Sequence, residues 1–144
     1  MRWRRLVLCG VAVFVTQAVV NGALFALVGD RLPHDAALFR PEGQELWGVY
    51  MASRVLFVSM FVLLFARWFP GRGPLAGIRY GIAVWLLYSI PMTAGFWSFL
   101  KLPGVVAFSW VAFGLAELVA SGVVLGWICA RGTGHAASPS VAAV

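Results

Sequence analysis

Apolar residues run almost without interruption through four stretches of this chain, Leu6 to Val28, Leu46 to Ala66, Ile78 to Leu100 and Val105 to Ala130, and polar residues gather between them. Each stretch reaches the ~20 residues that a helix rising ~1.5 Å per residue needs to cross a hydrocarbon layer about 30 Å thick. The pattern predicts an all-α integral membrane protein, a four-helix bundle with spans at about 6–28, 46–66, 78–100 and 105–130. Membrane barrels are excluded, because their strands are ~10 residues long with alternating polarity. One domain is expected over residues 1–131. The segment 132–144, rich in Ala, Ser, Thr and Gly, has no periodic apolar face and is predicted to be disordered.

Composition agrees with the pattern. Hydrophobic residues make up 62% of the 144, charged residues 11%, and mean hydropathy is +0.90, whereas soluble domains carry about 25% charged residues. The net charge of +6 does not indicate nucleic acid, since the basic residues sit at helix ends and form no patch. They point to orientation instead. Arg2, Arg4 and Arg5 precede the first span, Arg67, Arg72 and Arg79 bracket the second connection, and Arg131 follows the last span. The positive-inside rule then places both termini in the cytoplasm. The opposite side would hold the loop Asp30 to Glu45 and the turn Lys101-Leu102-Pro103-Gly104. The opening Met-Arg-Trp-Arg-Arg could also begin a secretory signal cleaved after Gly22 and Ala23, but the apolar run continues to Val28, beyond the usual signal core of about 7–15 residues. It is therefore read as a span.

Within the spans two charged residues lie near membrane depth, Arg54 in the second and Glu117 in the fourth. A charge at the bilayer centre costs from ~2.5 to above 10 kcal/mol, so such residues face inward, pair and tend to be functional. Counted from the end opposite the termini, Arg54 and Asn21 lie ~12 Å deep and Glu117 and Gln17 ~18 Å, a difference an extended arginine covers. Gln17 and Asn21 are four residues apart and share a helix face. Tyr88 lies at similar depth on the third helix, one turn before Pro91, which is expected to kink it. These residues predict one intramembrane polar cluster, Arg54, Glu117, Gln17, Asn21 and Tyr88. The first expectation is a structural staple that fixes helix register, the second a proton or solute site, and the third an unpaired Arg54 snorkelling to the headgroups.

Small residues give a packing expectation. Ala18, Gly22 and Ala26 on the first helix, and Gly114, Gly122 and Gly126 on the fourth, form stripes that permit close backbone approach. They predict that helices one and four pack together, although either stripe could serve a homodimer. Trp47, Tyr50 and Trp68 fit interfacial belts and carry no functional information.

Other chemistry is missing from the spans. His34 falls in the first loop and His135 in the tail, so a bis-histidine haem within this chain is excluded. A loop histidine beside Asp35, Glu42 and Glu45 is usually solvated, and no metal is predicted. Cys9 and Cys129 form no C-x-x-C motif and read as reduced packing residues. No Ser-His-Asp set, H-E-x-x-H motif, P-loop or paired carboxylates can be assembled. The expectation is a non-enzymatic protein without cofactor.

The stretch Gly77-Ile78-Arg79-Tyr80-Gly81, then Pro91, Leu102-Pro103-Gly104, Trp110, Gly114, Glu117 and Gly122 resembles the second half of small bacterial four-helix membrane proteins of unassigned function. The resemblance covers about the last 55 residues and implies the same topology in a bacterial inner membrane, with no activity attached. Small multidrug transporters are similar in size and have one membrane glutamate, but theirs lies in the first helix, where this chain has Gln17. The functional expectation is an accessory or structural subunit, partnered by the lipid bilayer and a homodimer or larger membrane complex. The alternative is a small proton- or cation-coupled transporter or channel using Glu117, with Arg54 as counter-charge.

Overall fold

The computed structural model describes residues 3–29, 44, 46–69 and 73–131. Four helices occupy them, α1 (Trp3–Val28), α2 (Trp47–Trp68), α3 (Pro74–Phe99) and α4 (Gly104–Arg131), and each is long and apolar enough to cross a membrane. The tail from residue 132, and the possible metal ligands His34, Asp35, Glu42 and Glu45, lie outside the described residues.

Helix ends extend past the apolar runs for local reasons. α1 starts at Trp3, taking in Arg4 and Arg5, because helical backbone continues where hydropathy stops. α3 starts at Pro74, before the expected Ile78, with Pro at the first helical position behind Gly73. The fixed proline φ suits that position and its missing N–H costs nothing there. The turn between α3 and α4 is closed by Leu100 N–H donating to the Phe96 carbonyl at 2.7 Å and Val106 N–H to the Pro103 carbonyl at 2.9 Å. α3 runs unbroken through Pro91, which is exposed.

The most extensive contact joins α3 to α4; α1 lies against α4, and α2 mainly against α1. A seam of glycines sets the first of these. A Cβ on Gly77 would overlap the Gly122 carbonyl, one on Gly122 would overlap the Gly77 carbonyl, and one on Gly81 would overlap the Leu118 carbonyl. One on Gly126 would stand 2.7 Å from the Gly73 carbonyl oxygen. Glycines four apart on two antiparallel helices thus let the backbones touch. Trp85 fastens the seam further, its indole N–H donating to the Val111 carbonyl at 2.8 Å.

This corrects the partner expected for the α4 stripe, while the expected packing of α1 on α4 is present. The α4 stripe of Gly122 and Gly126, with Gly114 beside Ser89, faces α3 and not α1. On α1, Ala18, Gly22 and Ala26 are exposed or only partly covered, and a Cβ on Gly22 would meet nothing within 4 Å. α1 does pack on α4, through the face bearing Cys9, Val13 and Gln17, all fully buried. Cys9 and Cys129 are free thiols buried in the same core cluster.

Few backbone approaches join α2 to α3 or α4, so side chains bridge the gap. Phe61, Phe65 and Phe69 surround the Tyr80 ring at centroid distances of 4.7, 5.3 and 5.7 Å. The Tyr80 hydroxyl donates to the Phe61 carbonyl at 2.8 Å, satisfying a buried phenol with a spare backbone lone pair. This aromatic plug, with Phe61, Phe65 and Tyr80 buried, fills the half of the bundle nearer the termini. Large apolar side chains such as Leu87, Phe99 and Phe108 point outward, an arrangement suited to lipid as solvent.

Candidate functional site

The other half of the bundle, bearing the α1–α2 and α3–α4 connections, is looser. There α2 carries Tyr50, Ser53, Arg54 and Phe57 at the i, i+3, i+4, i+7 spacing of one helix face, turned toward α3 and α4. Between them lies a cavity of about 570 Å³, half-open, with Arg54 and Glu117 in its wall. Its aromatic lining comes from all four helices and includes Phe25, Phe57, Tyr88, Phe96, Trp110 and Phe113. Phe57 packs on Tyr88 at 5.2 Å between centroids, and Phe96 meets Trp110 edge-on at 6.3 Å.

Arg54 Nη2 donates to Glu117 Oε1 at 2.6 Å, and the side chains are 21% and 11% exposed. The pair joins α2 to α4 across the gap that backbone does not close. Glu117 is the one acidic residue among the described residues. Its backbone carbonyl also accepts the Ser121 hydroxyl at 2.7 Å, so α4 holds the carboxylate on a well-packed segment. Arg54 sits on the less supported helix. An unpaired, snorkelling Arg54 is therefore not what the structure contains.

The rest of the expected cluster is only partly assembled. Asn21 and Tyr88 line the same cavity, but among the described residues neither they nor Gln17 hydrogen-bonds the ion pair. Gln17 is fully buried outside the cavity lining, and neither Oε1 nor Nε2 has a partner. Sharing a face at a spacing of four did not bring Gln17 and Asn21 to one place, because Gln17 turns into the α1–α4 contact while Asn21 sits where α2 stands off.

A second hollow, of about 860 Å³, opens between α1 and the same half of α2. Ala18 and Gly22 line its α1 side, and Tyr50 and Arg54 its α2 side. Arg54 thus stands between two spaces, and this half of α2 is held by side chains with room on either hand. Tyr50, which reads as a belt residue, borders both. Tyr80 and the Gly77–Gly81 pair are absent from the polar-cluster and stripe expectations. Their signal is a tyrosine too deep in a span for a belt, beside glycines at a spacing of four.

No group of metal-ligating side chains occurs among the described residues. The arrangement offers one carboxylate on a well-packed helix, one guanidinium on a thinly packed helix and a ring-lined space large enough for a small organic molecule, within the usual ligand-pocket range of about 300–1,000 Å³. Comparison with protein-family models, curated proteins and solved structures returned no match. The all-helical arrangement fits a multi-pass membrane protein, and the site's chemistry must speak for the function.

Proposed function

We propose that this chain is a small proton-coupled transporter of the bacterial inner membrane, the proton arm of the proton- or cation-coupled alternative, with both termini cytoplasmic. The observation that carries the reading is the position of Glu117, in the wall of a half-open, aromatic-lined cavity; on this reading the cavity opens toward the α1–α2 and α3–α4 connections, with the buried aromatic plug closing the other half of the bundle. A staple alone needs no such space around it. Intramembrane carboxylates that reach water-filled cavities commonly exchange protons or cations. Arg54 serves as counter-charge to Glu117 when the site is empty. Movement of α2 toward the small-residue side of α1 supplies the change of access, since Ala18 and Gly22 leave space for a close approach. The orientation rests on the basic residues Arg4, Arg5, Arg67 and Arg79 near one end.

Proteoliposomes containing a pH-sensitive dye provide the test. Wild type should carry proton flux above empty vesicles when a pH gradient is imposed, and Glu117→Gln, which keeps size and a hydrogen-bonding oxygen, should abolish it. Flux no greater than that of empty vesicles would reject the reading. A second reading, a small subunit of a membrane assembly, is favoured by the α1–α2 hollow, whose small-residue side would admit a partner's helix. Stoichiometric foreign bands on purification in mild detergent, with no flux, would favour it.

A further inference from the structure

We infer that the cavity beside Glu117 takes an organic cation, and that Arg54 is its internal competitor; the inference rests on the transport reading and names the class of its substrate. Arg54 is itself a cation held against the sole described carboxylate in the wall of an aromatic-lined cavity, so the unliganded site already displays the ionic contact it would offer a ligand. Ring faces carry negative quadrupole potential and attract cations, most strongly for Trp and in desolvated settings. Tyr88, Trp110, Phe57 and Phe96 supply such rings in the lining of the cavity that Glu117 borders. An anion would meet the opposite condition at Glu117, which repels it. Its attraction to Arg54 would have to overcome a bond the guanidinium already makes. The Ser53 hydroxyl adds little for an anion, since it donates to the Tyr50 carbonyl of its own helix at 2.7 Å.

The two partners are also unequally held. Glu117 lies on α4, clamped by the glycine seam, whereas Arg54 lies on the half of α2 that borders space on both sides. On arrival of a cation the carboxylate stays and the guanidinium yields. Glu117 Oε2 accepts no hydrogen bond from the described residues, which leaves an oxygen for the incoming charge before Arg54 departs. The occupied site then carries a net positive charge, shared by ligand and Arg54 against one carboxylate, and release of Arg54 toward Asn21 and the α1–α2 hollow relieves the repulsion.

Equilibrium binding to protein in lipid nanodiscs tests this with benzyltrimethylammonium as the cation and benzenesulfonate as the anion of comparable size. The cation should bind saturably and the sulfonate should not. Glu117→Gln should weaken cation binding at least tenfold, and Trp110→Leu, which leaves the ion pair in place, about tenfold. Arg54→Leu should tighten it, because the competitor is gone. Saturable sulfonate binding that Arg54→Leu abolishes would overturn the cation assignment while leaving a ligand site at this cavity. Absence of cation binding to wild type, or binding unchanged in both Glu117→Gln and Trp110→Leu, would overturn it as well. The dye-flux assay, which uses neither probe, decides separately whether the transport reading stands.

Discussion

Removing one end of the Arg54–Glu117 bond strands the other charge at membrane depth, and the structure sets the size of the penalty. Breaking a fully buried pair costs ~3–5 kcal/mol. Here the side chains keep 21% and 11% exposure toward the cavity, so water reaches part of the stranded group and lowers that figure. About 2 kcal/mol is expected for each of Arg54→Leu and Glu117→Leu, with the double variant recovering roughly 1–2 kcal/mol of the summed loss. The contact is single and the α2 half that carries Arg54 is thinly packed, which argues against larger coupling. Reversible unfolding in mixed micelles of rising SDS fraction supplies the four free energies. Additivity within ~0.5 kcal/mol would refute the reasoning, because it would mean that the pair carries no energy and that α2 is held here by something else.

Two further predictions concern packing. Gly122→Leu should cost ~1–3 kcal/mol or prevent folding, since the new side chain enters the Gly77 carbonyl, whereas Gly22→Ala should be neutral or stabilising by up to ~1 kcal/mol through helix propensity; equal losses in the same unfolding assay would contradict the assignment of the seam to α3 and α4. Gln17→Leu should stabilise by ~1–2 kcal/mol by removing a buried amide whose Oε1 and Nε2 are both unpaired, and a clear loss of stability would reveal a partner for that amide.

The spans and the ion pair are legible in the amino-acid sequence because both follow from cost. Apolar length matches bilayer thickness, and two opposite charges at matching depth have few ways to be tolerated other than together. The α4 stripe is legible as a place of close approach, but small residues say that a backbone comes near without saying whose. Gly77 and Gly81, which answer the α4 stripe, have the same spacing of four, but nothing in that spacing pairs them with α4. Tyr80 is obscured for a related reason, because its partner is a carbonyl and no side-chain pattern marks a carbonyl as an acceptor. The cavity has no signature along the chain, since it arises where α2 makes few backbone approaches to α3 and α4. That space is what moves the weight from a staple toward a site.

The central claim is that the space beside Glu117 opens at one end of the bundle only. Ser89 lines that space and is 8% exposed, and Ser89→Cys, in a chain with Cys9→Ala and Cys129→Ala, changes little but the reactivity of one atom. In sealed vesicles, a membrane-impermeant methanethiosulfonate should modify this cysteine when applied to the side bearing Lys101 and leave it unmodified when applied to the side bearing Arg79. Modification from the Arg79 side, or from neither side, would contradict the account.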